Sequence, residues 1–331
     1  MNENISENIK SRLANVKRLY MIGMDHEKLG TEADKLTAIL NYDASIEHLL
    51  NTILDFYEFQ LEKERSEKFS TIWKNVNTVL ERDNIEFGNK HSLPSAREIC
   101  NFHKIRNSAQ HYAIIPDYTS LRQFREITEI FLESVINKIF GINFSQLTLA
   151  ILIKNIDVKK YVTDAEKYFL NDEFEQSANS SSIAFDIAKR EEQQRIHGSG
   201  SLLMRLALAF GDDNSVLLLA DSINPIDSDT EIDLLKIDRK TLAIHLIFEE
   251  LEILKLGLDY KKYMHYKRIS PRVRISSKFE EGKEECKYEI ISNRKNYDFD
   301  SALFCLNFVT DTIIKWESFE SESWLQNWLG I

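Results

Sequence analysis

The sequence predicts a mainly all-α protein, and three of its features support this fold class. Glycine and proline number only 10 and 4 among 331 residues, and because both interrupt regular structure, their scarcity favours long helices over many short strands. Apolar residues recur at intervals of three and four along most of the chain, which is the period of an amphipathic helix. Hydrophobic residues make up 43% of the chain and charged residues 29%, a composition typical of a folded globular protein.

Residues 1–141 are predicted to form a bundle of five helices. The apolar periodicity places these helices at about 5–24, 31–64, 66–82, 92–113 and 118–140. Ser92 and Pro94 suit the cap and the first turn of the fourth helix, and Pro116 restricts the residues at its end. Gly141 is a suitable stop for the fifth helix.

Residues 142–331 are predicted to form a second helical domain with a small β-hairpin. Helices are expected at about 157–170, 174–195, 202–210, 238–257 and 299–316, and alternating residues on both sides of Gly282 predict the hairpin within about 272–292. The role of this half is left open between a degenerate copy of the first bundle and a regulatory or dimerisation domain. Within it, residues 257–268 are basic and aromatic, a pattern that suits either RNA binding or a solvated turn.

Composition also limits the classes of function. The three cysteines are odd in number and form no CxxC pair, so neither a disulfide framework nor a cysteine-rich zinc site is expected. A polar N-terminus and short apolar runs predict a cytoplasmic protein without membrane association. No HExxH, Walker A, GxGxxG or GxSxG motif is present, so no metal or cofactor is expected.

The net charge is −11, which argues against a protein that coats nucleic acid with a broad basic surface. The segment 90–125 differs, because it holds six basic and two acidic residues. Within it lies His103-Lys-Ile-Arg106-Asn107-Ser-Ala-Gln-His111, with four residues between Arg106 and His111. An arginine stays charged and offers paired donors to phosphoryl oxygens, and a histidine exchanges protons near neutral pH.

This segment resembles the Arg-x4–6-His signature of HEPN domains (higher eukaryotes and prokaryotes nucleotide-binding), and the resemblance covers roughly residues 1–141. It implies a metal-independent endoribonuclease in which a ribose 2′-OH attacks the adjacent phosphorus and leaves a 2′,3′-cyclic phosphate. His111 would act as acid or base, Arg106 would stabilise the phosphate, and Asn107 would hold a phosphate oxygen or orient the histidine. A polar residue of the long second helix, Asp43 or Glu47, is implied to face the motif.

The resemblance further implies that two motif helices build the site. Either a homodimer or pairing with a second HEPN-like unit would supply the second helix, and a homodimer is the expected assembly. RNA is the implied substrate, and a toxin or antiphage defence effector with an antitoxin or defence-system partner is the implied setting. His103 lies one helical turn before Asn107, where it either lines the same cleft or is an ordinary surface histidine. Lys104 and Tyr112 are candidate RNA contacts, although for Tyr112 we favour packing over stacking on a base.

Other interpretations remain open at this point. Three further pairs match the Arg-to-His spacing, namely Arg97 with His103, Arg190 with His197 and Arg239 with His245. Arg106 is singled out because it combines the spacing with the following Asn107 and a local excess of basic residues. The alternatives to an enzyme are a non-catalytic HEPN-type binding or regulatory module, and a helical interaction subunit in which the motif is accidental.

Overall fold

The computed structural model describes residues 5–59, 68–197, 251, 253–280, 283–292 and 297–319. It confirms a mainly helical chain with a two-stranded antiparallel sheet near the C-terminus. Contacts divide the chain into two units, Met1–Leu152 and Ile153–Ile331. The predicted domain boundary at residue 141 stays a prediction. The segment just after residue 141 packs on the first unit, because Nζ of Lys17 donates to the carbonyl of Ser145 at 2.9 Å.

The first unit contains the five predicted helices. They are α1 (Glu7–Leu29), α2 (Glu32–Phe56), α3 (Phe69–Arg82), α4 (Ala96–Tyr112) and α5 (Tyr118–Phe140), followed by 3₁₀ turns at Phe144–Gln146 and Ala150–Leu152. α2 is the central helix, because it contacts α1, α3, α4 and α5. Its apolar face is fully buried, with no exposure at Ile39, Tyr42, Ile46, Leu49, Leu50 and Ile53. This face is therefore the core against which the other helices pack.

Two of the predicted helix ends in this unit are wrong. α1 continues to Leu29 and ends at Gly30, whose φ of 74° is the left-handed conformation that glycine adopts without strain. α2 ends at Phe56 rather than near residue 64, since Glu58 has a φ of 50° and takes the chain out of the helix. Residues 60–64 lie outside the described part of the chain. The end of α5 at Gly141 is confirmed, with φ 66° at that cap.

The predicted start of α4 is also wrong. Ser92 was expected to cap the helix, but α4 begins at Ala96 after Ser95, which has left-handed φ and no side-chain capping bond. Leu93 explains the shift, because its side chain is buried and its backbone N–H donates to Oδ1 of Asn77 at 3.0 Å. Those contacts hold the preceding residues in a turn that joins α3 to α4.

The described part of the second unit contains four helices of defined extent, the helical residues 251 and 253–255, and the hairpin. The four helices and the two strands are α6 (Ile156–Leu170), α7 (Phe174–His197), α8 (Tyr260–Ile269), β1 (Arg272–Glu280), β2 (Lys283–Ser292) and α9 (Phe299–Phe319). The helical hairpin, the β-hairpin and the last helix are thus confirmed. The predicted helix at 202–210, the greater part of the one at 238–257, and the pair Arg239 and His245 fall outside the described residues.

Aromatic side chains fill the core of the second unit. Phe185 of α7 lies 5.0 Å from the ring of Tyr266 and 5.7 Å from that of Trp316, centroid to centroid. The indole Nε1 of Trp316 donates to the carbonyl of Leu256 at 2.7 Å, so its buried polar atom is satisfied. In neither unit does a described helix combine the length and the hydropathy needed to cross a membrane.

Candidate functional site

A fully buried carboxylate stands at the centre of the candidate site. Asp43 of α2 has no exposed surface and occupies a position between Ile39 and Ile46 on the apolar face of the helix. Burying an unpaired charge costs far more free energy than the packing of this helix can offset. The carboxylate therefore requires cationic or hydrogen-bonding partners from a neighbouring element.

α4 supplies both partners from successive turns. Nδ1 of His103 lies 3.0 Å from each carboxylate oxygen of Asp43, and Nε of Arg106 lies 3.0 Å from Oδ2. Because an ionised carboxylate only accepts, Nδ1 of His103 carries the hydrogen. The imidazole also stacks on Phe69 of α3, with ring centroids 4.2 Å apart, so its orientation is fixed on two sides.

Arg106 is anchored while part of its guanidinium stays accessible. Its contact with Asp43 is an ion pair without a hydrogen bond, since Nε has no hydrogen-bonding partner among the described residues. Nη1 donates to Oδ1 of the adjacent Asn107 at 2.9 Å. The side chain is 21% exposed. The remaining donors of the guanidinium are thus available to an anion at the surface of α4.

His111 does not meet Arg106 within one chain. It is exposed on the last turn of α4 and contacts no described side chain through a hydrogen bond, an ion pair or a ring. The two residues are five positions apart along the helix, so they are rotated by about 140° from one another at 3.6 residues per turn. Asn107 is one turn before His111 and adjacent to Arg106, so around the surface of the helix it lies between these two side chains.

The other candidate residues are two acidic residues of α2 and two possible contacts to RNA on α4. Of the two acidic candidates, Asp43 faces the motif, whereas Glu47 is half-buried and its carboxylate makes no hydrogen bond or ion pair with a described residue. Lys104 is exposed, as a contact to RNA requires. Tyr112 does not pack within a single chain as expected, because 75% of this residue is exposed. The chain turns away at Ala113, whose φ is 55°.

Sequence reasoning missed an apolar surface beside the motif. Tyr112, Ile114 and Tyr118 are 75%, 62% and 53% exposed. Tyr112 ends α4, Ile114 lies in the connection and Tyr118 begins α5. Large apolar side chains grouped on a surface are typical of an interaction site. The signal in the sequence was the run Tyr112-Ala-Ile114-Ile115 immediately after the motif, with no polar residue in it.

Comparison of the chain with protein-family models, with curated proteins and with solved structures finds no match. The function is therefore inferred from the residues of the motif and their geometry. Within the described part of the chain, no group of three or more His, Cys, Asp or Glu side chains is arranged to hold a metal ion.

Proposed function

We propose that this chain is a metal-independent endoribonuclease of the HEPN type. The observation that carries the proposal is the anchoring of Arg106 by the buried Asp43, which leaves a fixed, partly exposed guanidinium on the helix that also presents Asn107 and His111. In the proposed reaction, the ribose 2′-OH attacks the adjacent phosphorus and the 5′-oxygen leaves. DNA is not a substrate, because it lacks the attacking hydroxyl.

Each residue has a separate task in this reaction. His111 transfers protons to or from the reacting oxygens, a role that suits an exposed imidazole. Arg106 stabilises the additional negative charge on the phosphorane, where paired N–H donors are most effective. Asn107 holds a phosphate oxygen with its amide nitrogen, while its Oδ1 accepts from Nη1 of Arg106. Asp43 is a positioning residue, since it is fully buried.

The complete site is proposed to form between two copies of the chain. Within one chain the helix directs Arg106 toward Asp43. His111 is exposed on a different side of α4, with no partner among the described residues. The exposed apolar residues Tyr112, Ile114 and Tyr118 adjoin His111 and offer a surface for a second α4. In a dimer with such an interface, His111 of one copy would approach Arg106 of the other.

The proposed setting is the cytoplasm, where the enzyme acts on RNA as a toxin or antiphage defence effector. An antitoxin or defence-system partner would restrain it, since an unrestrained ribonuclease harms the cell that makes it. The net charge of −11 limits non-specific binding to RNA. Recognition would then depend on the local basic residues of the motif helix, including the exposed Lys104.

A second candidate function is favoured by one contact. The charge of Arg106 is already paired with Asp43, so the same arrangement suits a module that binds RNA or a nucleotide without cutting it. In that case His103, held by Asp43 and 20% exposed, is a part of the binding surface. The two functions differ in whether the wild type cleaves RNA: the enzyme requires His111 for cleavage, whereas the module still binds its ligand after His111→Ala.

Cleavage of RNA by purified variants in the presence of EDTA tests the proposal. The wild type and His48→Ala, which alters an exposed histidine of α2, should cleave total RNA equally. Arg106→Ala and His111→Ala should each lose at least about a hundredfold in rate with an unchanged helical spectrum. A wild type that binds RNA but never cuts it would replace the enzyme with the binding module, and equal cleavage by His111→Ala would refute the assigned site.

A further inference from the structure

The buried carboxylate of Asp43 determines which nitrogen of His103 carries the hydrogen. Nδ1 lies 3.0 Å from both Oδ1 and Oδ2, and an ionised carboxylate only accepts, so Nδ1 is the donor. In a neutral imidazole the other nitrogen then keeps its lone pair. The contact with Asp43 thus selects the tautomer of His103 in which Nε2 can accept a proton.

Nε2 of His103 is accessible from the surface of the first unit. It makes no hydrogen bond with any described residue, and it is not one of the buried side-chain atoms that lack a partner. It therefore reaches solvent, in agreement with a side chain that is 20% exposed. The contact that joins α2 to α4 uses Nδ1 alone and leaves a basic nitrogen at the surface.

Arg106 lies beside this histidine because both side chains contact the same carboxylate oxygen. His103 and Arg106 are three positions apart on α4, which places them on one side of the helix. Nδ1 of His103 and Nε of Arg106 are each 3.0 Å from Oδ2 of Asp43, so these two nitrogens lie within twice that distance of each other. A base that takes the ribose 2′-proton and a cation that stabilises the phosphoryl oxygens must lie close together, since those atoms belong to one nucleotide.

His111 does not have this relationship to Arg106 in a single chain. It is exposed on a different side of α4 and, in the proposed dimer, approaches the Arg106 of the other copy. Attack by the 2′-OH requires two proton transfers, one from the attacking hydroxyl and one to the departing 5′-oxygen. A composite site with His103 from one copy and His111 from the other supplies a separate imidazole for each transfer.

Within the proposed ribonuclease activity, on which this assignment rests, we propose that the Asp43–His103 pair is the general base and His111 of the second copy the general acid. Nε2 of His103 takes the proton of the 2′-OH as the bond from the 2′-oxygen to phosphorus forms. The bond from phosphorus to the 5′-oxygen breaks, and that oxygen takes a proton from His111. The carboxylate of Asp43 stabilises the imidazolium formed at His103, and exchange with water restores both histidines.

The surroundings of His103 come from several helices. Among the described residues, its charged neighbours are Asp43 on α2 and Arg106 on α4, and Phe69 of α3 stacks on the ring with centroids 4.2 Å apart. α5 packs on α4 through the uncharged Phe124. The rate of cleavage should therefore rise with pH as His103 loses its proton, and fall at higher pH as the acid loses the proton that it must donate.

A substrate whose leaving group needs no proton separates the base from the acid. With sulfur in place of the 5′-oxygen at the scissile bond, the leaving group departs as a thiolate. His111→Ala should cleave this oligonucleotide within about tenfold of the wild-type rate, whereas His103→Asn should stay at least about a hundredfold slower than the wild type on both substrates. The amide of the asparagine can still donate to Asp43 from the place of Nδ1, so the partner of Arg106 is kept while the basic nitrogen is lost.

The pH profile distinguishes a base from a side chain that only supports the fold. On the sulfur substrate the wild-type rate should rise with pH and then stay level, and His103→Asn should lose the rise. His26→Asn is the matched control, because Nδ1 of His26 lies 2.9 Å from Oδ1 of Asp34 in a second imidazole–carboxylate pair of the same unit. Asp34 is nine residues before Asp43 on α2, about 13.5 Å along the helix. This control should cleave both substrates as the wild type does.

Mixing two inactive variants tests whether the base and the acid come from different copies. In a dimer of one His103→Asn chain and one His111→Ala chain, one of the two sites keeps both histidines. An equimolar mixture should therefore recover about a quarter of the wild-type rate. No recovery would place both histidines in the site of one chain and overturn the composite arrangement.

The assignment of the base is overturned if His103→Asn cleaves RNA as fast as the wild type, or if the sulfur substrate restores His103→Asn instead of His111→Ala. The result for His111→Ala does not depend on the folding of a His103 variant, so it decides the roles even if His103→Asn is unstable. A wild type that cleaves neither substrate would refute the ribonuclease activity itself and the role of His103 with it.

Discussion

The buried carboxylate of Asp43 holds the imidazole of His103, with Nδ1 at 3.0 Å from both Oδ1 and Oδ2. This contact joins α2 to α4 across 60 positions of sequence and orients the helix that carries the motif. Arg106 shares the same carboxylate. A single aspartate thus determines the positions of two side chains of the candidate site.

Asp43→Ala should destabilise the first unit, because it leaves Arg106 and His103 without their common partner. The free energy of unfolding should fall by about 3 kcal/mol, the lower end for a broken buried pair, since the arginine remains partly exposed. Urea unfolding followed by circular dichroism measures it. Glu47→Ala, one turn further along α2, should change it by less than about 1 kcal/mol; an equal loss in both variants would contradict the role given to Asp43.

Gly23→Ala should also be destabilising, although alanine is the better helix former. A Cβ at position 23 would lie 2.6 Å from Cε1 of Tyr42, and that ring cannot move freely because its hydroxyl donates to the buried Glu27 at 2.6 Å. The expected loss is about 1–3 kcal/mol, as for other overpacked positions. Thermal unfolding of Gly23→Ala, Tyr42→Leu and the double variant checks it. If Gly23→Ala lowered the stability equally in the wild type and in the Tyr42→Leu variant, contact with the ring of Tyr42 would not be the cause.

Asp186 should make stability depend on pH. Burial raises its pKa from 3.8 to about 6, so between these values the folded protein keeps a proton that the unfolded chain releases. The free energy of unfolding contributed by this group therefore falls as the pH rises from about 4 to about 6. Asp186→Asn should be more stable than the wild type at pH 7, by about 1–3 kcal/mol, and equal to it near pH 4. If the free energies of unfolding of the wild type and Asp186→Asn changed in parallel with pH, the raised pKa of Asp186 would be disproved.

Tyr112→Asp should separate a dimer into monomers if the surface beside the motif is the interface. The substitution places a charge on a residue that is 75% exposed, so the fold of a single chain should not change. Sedimentation equilibrium should report a dimer for the wild type and a monomer for the variant, with loss of RNA cleavage. Leu170→Asp, at an exposed apolar residue of the second unit, is the control. A wild type that is monomeric at micromolar concentration would contradict the proposed composite site.

Much of the helical architecture was predictable from the sequence because its signals are local. α5 begins and ends at the predicted residues, Tyr118 and Phe140, since the side chain of Asp117 accepts from the N–H of Ser120 and Gly141 supplies the left-handed cap. The start of α4 was not predictable in this way. There a tertiary contact between Leu93 and Asn77 outweighs the capping pattern of Ser92.

The candidate site was predictable only in part. The sequence offered both Asp43 and Glu47, and the choice between them depends on how α2 packs against α4, which no local pattern specifies. One signal did favour Asp43, since it occupies a core position of its helix between Ile39 and Ile46.

The chemistry assigned to Arg106 and His111 is tested most directly by the ends of the RNA fragments. We expect the wild type, incubated with RNA and EDTA, to leave 2′,3′-cyclic phosphates, and the His111→Ala protein to leave none above the background of RNA incubated alone. An oligonucleotide with a 2′-deoxy substitution at the cleaved position should resist the wild type. Fragments with 3′-hydroxyl ends, or cleavage of the deoxy-substituted position, would contradict attack by the ribose hydroxyl and with it the proposed function.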